Sequence, residues 1–158
     1  MNKVVLGKYV NTHGIKGEIR IKSNFEYKNK VFKVGNQIII NDIFYNIKSY
    51  RVHKDYDMVT LDGINDINAI PFSKNTLVYI DRDNYLEEKE YLDSDLIGFI
   101  VYNSRLSLEV TGIDYLNHDK KILNCNGRRI PFELIEKVDL QNKKIQVMEV
   151  DGLWKLIY

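Results

Sequence analysis

Along much of the chain apolar and polar residues alternate singly, and a period of two is the signature of half-buried β-strands. Glu18-Ile19-Arg20-Ile21-Lys22 is the cleanest case. Its two isoleucines fall on one face, and Glu18, Arg20 and Lys22 fall on the other. Before it, Val4-Val5-Leu6 reads as a buried strand. Residues 37–40, Asn41-Asp42 and residues 43–49 read as strand, tight turn, strand. Residues 58–61 stop at the turn signal Asp62-Gly63, and residues 77–80 form a further strand. Between those two a short helix is expected, with Asn68 capping it and Ala69, Ile70 and Pro71 in its first turn. Proline is tolerated there because the first helical amides have no internal partner.

The alternation stops at residues 81–90, a charged stretch carrying Asp81, Arg82, Asp83, Glu87, Glu88, Lys89 and Glu90. Such a run is a solvated segment, and strands resume on its far side. Residues 96–102 read as a buried strand, 103–105 as a turn and 108–115 as another strand. Residues 122–125 then meet Asn126-Gly127, the strongest short hairpin signal. Arg128-Arg129-Ile130-Pro131 is the returning strand, and residues 145–150 follow a polar turn at 139–144. Many short strands at even spacing imply an all-β protein, and closure into barrels removes exposed edges. The expected organisation is two small β-barrels in tandem: residues 1–82, a short charged linker over 83–90, and residues 91–158.

Catalytic motifs are missing. The chain holds no nucleotide-binding glycine loop and no nucleophile elbow. His13, His53 and His118 make no recognised metal spacing, and the single cysteine, Cys125, reads as a small buried residue. No enzyme activity, cofactor or metal is therefore expected. The apolar run at 96–102 is far too short to span a membrane and the N-terminus lacks a signal-peptide core, so a cytoplasmic protein is expected. The 23 basic residues nearly balance 22 acidic ones, for a formal charge of +1. Non-specific nucleic-acid binding needs a basic surplus, so any RNA contact would be a local patch. Gly14-Ile15-Lys16-Gly17 fits the GxxG loop that clamps nucleic acid in KH domains, but that loop joins helices. Here it lies between strand patterns and reads as a glycine-assisted turn.

The stretch from Leu6 to Lys22, with Gly7 and then His13-Gly14-Ile15-Lys16-Gly17-Glu18 before the alternating strand, closely resembles the opening signature of the RimM family. Leu61-Asp62-Gly63-Ile64-Asn65-Asp66-Ile67-Asn68-Ala69 resembles a second family segment, and residues 77–81 its closing strand. In the second half, Asp95-Leu96-Ile97-Gly98, then Arg129-Ile130-Pro131-Phe132, then Val138-Asp139-Leu140 and Asp151-Gly152-Leu153 are similar to the family's PRC-barrel domain. The resemblance runs in order over nearly the whole chain.

It implies a non-catalytic ribosome maturation factor that assists late assembly of the small (30S) subunit head and processing of 16S rRNA. The implied partners are the free 30S subunit and the nineteenth small-subunit ribosomal protein, with a local 16S rRNA contact, and the chain is expected to be a monomer. The family's protein-binding determinant includes two adjacent tyrosines before the Asp-Leu entry. The matching positions here are Tyr91 and Leu92, followed by Asp93 where the family often has tryptophan. The protein contact is thus expected at Tyr91, Leu92, Asp95 and Leu96, and the rRNA contact at His13, Lys16, Arg20 and Lys22. Charged strand faces are also the ordinary surface of any soluble sheet. A two-barrel adaptor outside ribosome assembly is the alternative, since barrels host many functions.

Overall fold

The computed structural model describes residues 1–117 and 120–150, so His118 and the Asp151-Gly152-Leu153 segment lie outside the described residues. The chain divides into two compact units, Met1–Glu87 and Glu88–Tyr158. Residues 82–84 of the charged stretch form a 3₁₀ turn in which Asp81 accepts a hydrogen bond from the Asp83 amide.

In the first unit six strands close into a barrel: β1 (Lys3–His13), β2 (Glu18–Lys22), β3 (Gln37–Ile40), β4 (Ile43–His53), β5 (Tyr56–Leu61) and β6 (Leu77–Asp81). Their order around the barrel is β1-β2-β5-β4-β3-β6, with β6 pairing back onto β1. The alternating isoleucines explain the closure. Ile19, Ile21, Ile38, Ile40, Val78 and Ile80 face inward and are fully buried. β1 serves two partners, and its register slips once against each, between Val5 and Gly7 and between Tyr9 and Asn11. Such bulges bend a strand around a barrel. At the first of them a side chain on Gly7 would collide with the carbonyl oxygen of Lys22, so only glycine lets the strands approach.

A four-residue helix, α1 (Lys28–Val31), covers one end of this barrel. Sequence patterning does not reveal it, because one turn is too short for a 3.6-residue period to register. Lys28 reaches the carboxylate of the buried Asp57 at 3.1 Å, and the Tyr50 hydroxyl donates to the same carboxylate at 2.7 Å. The Tyr50 ring stacks on Phe32, with centroids 5.3 Å apart. The helix expected between β5 and β6 is a 3₁₀ turn, Ile67–Ala69, and its cap is Asp66 rather than Asn68. The Asp66 carboxylate accepts the Asn68 amide, and Pro71 forces Ile70 into an extended conformation that ends the turn.

The second unit is also all β: β7 (Ile100–Tyr102), β8 (Ser107–Glu109), β9 (Gly112–Leu116), β10 (Lys120–Cys125), β11 (Arg128–Pro131), β12 (Ile135–Asp139) and β13 (Lys144–Val147). Among the described residues these form a three-stranded sheet, β11-β10-β9, and a four-stranded sheet, β12-β13-β7-β8. Both sheets contribute to one barrel-like core that includes Leu96, Val101, Leu123, Ile130 and Ile145. Asn126 and Gly127, at φ 57° and 94°, make the left-handed hairpin turn that their sequence signals.

Two sequence expectations are corrected in this unit. Residues 96–102 are not one strand: Asp93–Leu96 is a 3₁₀ turn, Gly98 sits at φ 95°, and β7 begins only at Ile100. An apolar run without alternation does not distinguish strand from turn. Residues 108–115 are likewise split. The Val110 amide bonds Phe99, whereas the Thr111 amide bonds Asn124, so the chain changes sheets between adjacent residues.

Candidate functional site

The β1–β2 turn starts from its glycines. Gly14 and Gly17 lie at φ 71° and 81°, a region open to glycine. A Cβ on Gly17 would also press on Ile64 at 3.2 Å and on the Asp66 backbone at 3.3 Å. The Ile67 amide donates to the Ile15 carbonyl, pinning the turn against the 3₁₀ segment. The Ile15 side chain is left 79% exposed at the tip. His13, Gly14, Ile15, Lys16, Glu18 and Thr60 line an open depression beside it.

From this turn β2 carries Glu18, Arg20 and Lys22 on the outer face, with Ile19 and Ile21 inward. Arg20 donates to the Asn11 side-chain oxygen at 2.9 Å and lies 2.7 Å from Nδ1 of His13. A guanidinium only donates, so Nδ1 is the acceptor and a neutral His13 carries its proton on Nε2. Glu18 receives a two-pronged contact from Arg51 of β4, at 2.9 and 2.7 Å. That guanidinium holds the Glu18 carboxyl below the ordinary glutamate range, with smaller help from His13 and His53. The His13 and His53 rings lie 5.7 Å apart. Burial lowers the His53 pKa first, and Arg51, Lys54, His13 and Arg20 lower it further. Met58 of β5 pairs with both Arg20 and Arg51 and is fully buried on this face beneath them.

The structure thus joins His13 directly to Arg20 and places Lys16 at the same depression. Lys22 lies further along β2, opposite Lys8 and over the Tyr56 ring at 5.7 Å. Sequence reading missed Arg51 and His53. They stand more than thirty positions from Glu18 and enter only through the β2-β5-β4 pairing.

The second expected surface is organised differently. The Asp95 carboxylate accepts the Leu92 amide at 2.9 Å and the Asp95 amide returns a bond to Leu92, which closes the 3₁₀ turn. Leu96 is wholly buried in the core and Leu92 is 7% exposed, so both support the segment from inside and neither offers a surface. That corrects their expected place as contact residues. Tyr91 is half-buried and packs on the core's edge. Asp93 is buried and accepts bonds from Tyr115 at 3.2 Å and from Lys121, whose ion pair measures 3.0 Å. Beside this segment Tyr115 and Ile97 are exposed.

Among the described residues no group of three or more His, Cys, Asp or Glu side chains converges as a metal site would. The Cys125 thiol is buried and pushed up to about 11 by that burial, which keeps it protonated and unreactive. No helix among the described residues is long and apolar enough to cross a membrane.

Residues 4–85 match the model of the RimM N-terminal domain. A ribosome maturation factor RimM from Staphylococcus aureus (strain bovine RF122 / ET3-1) is 37% identical over 96% of this chain and 98% of its own. The chain belongs to the RimM family. Its RimM relative from S. aureus strain JH9 is 36% identical over the same shares. Among solved structures, the putative 16S ribosomal RNA processing protein RimM of Pseudomonas aeruginosa aligns with a TM-score of 0.46 at 19% identity, over 96% of this chain and 99% of that one. The N-terminal domain of RimM from Thermus thermophilus aligns with a TM-score of 0.47 at 16% identity, over 57% of this chain and all of that one.

Proposed function

We propose that this chain is a cytoplasmic, monomeric ribosome maturation factor that assists assembly of the small-subunit head and processing of 16S rRNA by binding, without catalysis or cofactor. The observation that carries this reading is full-length similarity to relatives named as ribosome maturation factors. Two surfaces divide the work. Tyr91, on the segment braced by Asp95, Leu92 and Leu96, is the contact for the nineteenth small-subunit ribosomal protein. The outer face of the first barrel, with His13, Lys16, Arg20 and Lys22, is the contact for 16S rRNA. A factor that binds one state of the assembling head more tightly shifts the population toward it by that difference in affinity, so no nucleotide need be consumed.

Sucrose-gradient fractionation of cell extract tests the reading. The protein is expected on free small subunits and absent from translating ribosomes, and Tyr91→Ala is expected to weaken that association by about tenfold or more, as truncating a hot-spot tyrosine does. Sedimentation at the top of the gradient even at low salt would overturn the reading in favour of an adaptor outside ribosome assembly.

A further inference from the structure

The outer face of the first barrel gathers more positive charge than it neutralises. His13, Arg20, Arg51 and His53 converge there from three strands. Among the described residues the carboxylate in contact with them is Glu18, and Arg51 already engages both of its oxygens. Arg20 is held instead by neutral acceptors: the Asn11 amide oxygen, the Thr12 carbonyl and Nδ1 of His13. Those bonds fix the guanidinium without cancelling its charge. The other charged or titratable groups near His53 are Lys54 and Asp55 in the turn that follows it, and Tyr56 directly across the ladder with Lys22 over its ring. The charges that oppose a proton on His53 are the ones an entering anion would offset.

We propose that this face holds one phosphodiester of an RNA backbone between Arg20 and the imidazoles of His13 and His53, and that His53 takes up a proton on binding. The inference rests on the maturation-factor reading and extends it, because it names Arg51 and His53 as parts of the site and backbone phosphate as its ligand. Phosphate suits the geometry better than a carboxylate. Donors arriving from β1, β2 and β4 demand oxygens pointing in several directions, whereas a carboxylate offers two in one plane. Arg51 is itself held by Glu18, and His13 is held by Arg20. Lys22 and Lys54 flank the site on the path of neighbouring phosphates. A chain of formal charge +1 has no general attraction for RNA, so a local, built contact of this kind is what RNA binding by it requires.

The test uses the full-length chain, with imidazole ¹⁵N signals followed by NMR during titration with inorganic phosphate, and fluorescence anisotropy of a labelled oligouridylate across pH. Phosphate is expected to shift His13 and His53 saturably and to raise the pH at which His53 titrates. Oligouridylate affinity is expected to fall as pH rises, by up to about tenfold per unit where one proton is taken up on binding. His53→Gln should flatten that profile with thermal stability unchanged, and Arg20→Gln should lower the log–log salt slope by about 0.7. Imidazoles unmoved by phosphate, or oligouridylate affinity independent of pH, would overturn the proposal. Phosphate binding without oligouridylate binding would overturn it too, assigning the site to an acidic or phosphorylated protein surface. Wild-type sedimentation with small subunits that His53→Gln and Arg20→Gln leave unchanged would remove this site while leaving the maturation-factor reading intact. Absence of the wild type from small subunits would remove that reading itself.

Discussion

Gly14 and Gly17 flank the same turn at similar backbone angles, yet their surroundings differ. A side chain on Gly14 meets nothing within 4 Å, whereas one on Gly17 presses on Ile64 and on the Asp66 backbone. Left-handed geometry alone costs an alanine about 1–2 kcal/mol. Gly14→Ala is therefore expected to lose about that much stability, and Gly17→Ala clearly more, as urea denaturation of the two variants would measure. Glu18 adds a pH signature. Its folded carboxyl is held below the ordinary range by Arg51, so the stabilisation is fully present above the unfolded glutamate pKa and is lost as pH falls through the lowered folded value. Glu18→Gln should accordingly reduce the drop in urea midpoint on acidification from neutral pH. A variant as acid-sensitive as the wild type would contradict it. At this scale His13 and Arg20 were legible, because one short stretch supplies both and the period of two puts Arg20 outward. Arg51 and His53 were not, since no local pattern announces which distant strand will lie beside β2.

Among the elements, the first barrel buries a polar cluster where an apolar side chain would ordinarily stand. Asp57 lies opposite the inward-facing Ile21 and is satisfied by Lys28 of α1 and by the Tyr50 hydroxyl. Desolvation and the bond to Asp57 raise the Tyr50 pKa well above the ordinary phenol value, so the hydroxyl remains a donor throughout the neutral range. Removing Tyr50's hydroxyl should cost about 1–3 kcal/mol, the penalty for a buried acceptor losing a partner. Asp57→Ala should cost a similar amount and also loosen α1, whose Lys28 then loses its anchor. Thermal melts give the first quantity, and amide exchange over residues 28–31 gives the second. Strands β2 to β6 were legible within a few residues, β2 from its alternation and β3 to β5 with the help of the turn signals Asn41-Asp42 and Asp62-Gly63. The shortfalls have particular causes. Asp66 outcompeted Asn68 as a cap by bonding an amide two residues ahead. The stretch at 96–102 opens on the core residue Leu96 at the end of a 3₁₀ turn, passes through the exposed Ile97 and Gly98, and joins a sheet only at Ile100.

For the whole molecule, two compact units each carry a hydrophobic interior of their own. Residues 1–87 hold all six barrel strands and the covering helix. Expressed alone, that segment is expected to unfold in a single cooperative transition, with coincident near- and far-ultraviolet dichroism; a broad, non-coincident loss of signal would contradict it. In the second unit β13 lies between β12 and β7 and runs parallel to β7, pairing Lys144, Ile145 and Gln146 with Ile100, Val101 and Tyr102. During synthesis β7 and β8 therefore leave the ribosome long before the strand that completes their sheet. The first barrel can close while the second unit is still being translated, but β7 must wait for one of the last described strands. Premature termination between Glu109 and Lys144 would release a chain with all six strands of the first barrel and with β7 lacking its parallel partner β13.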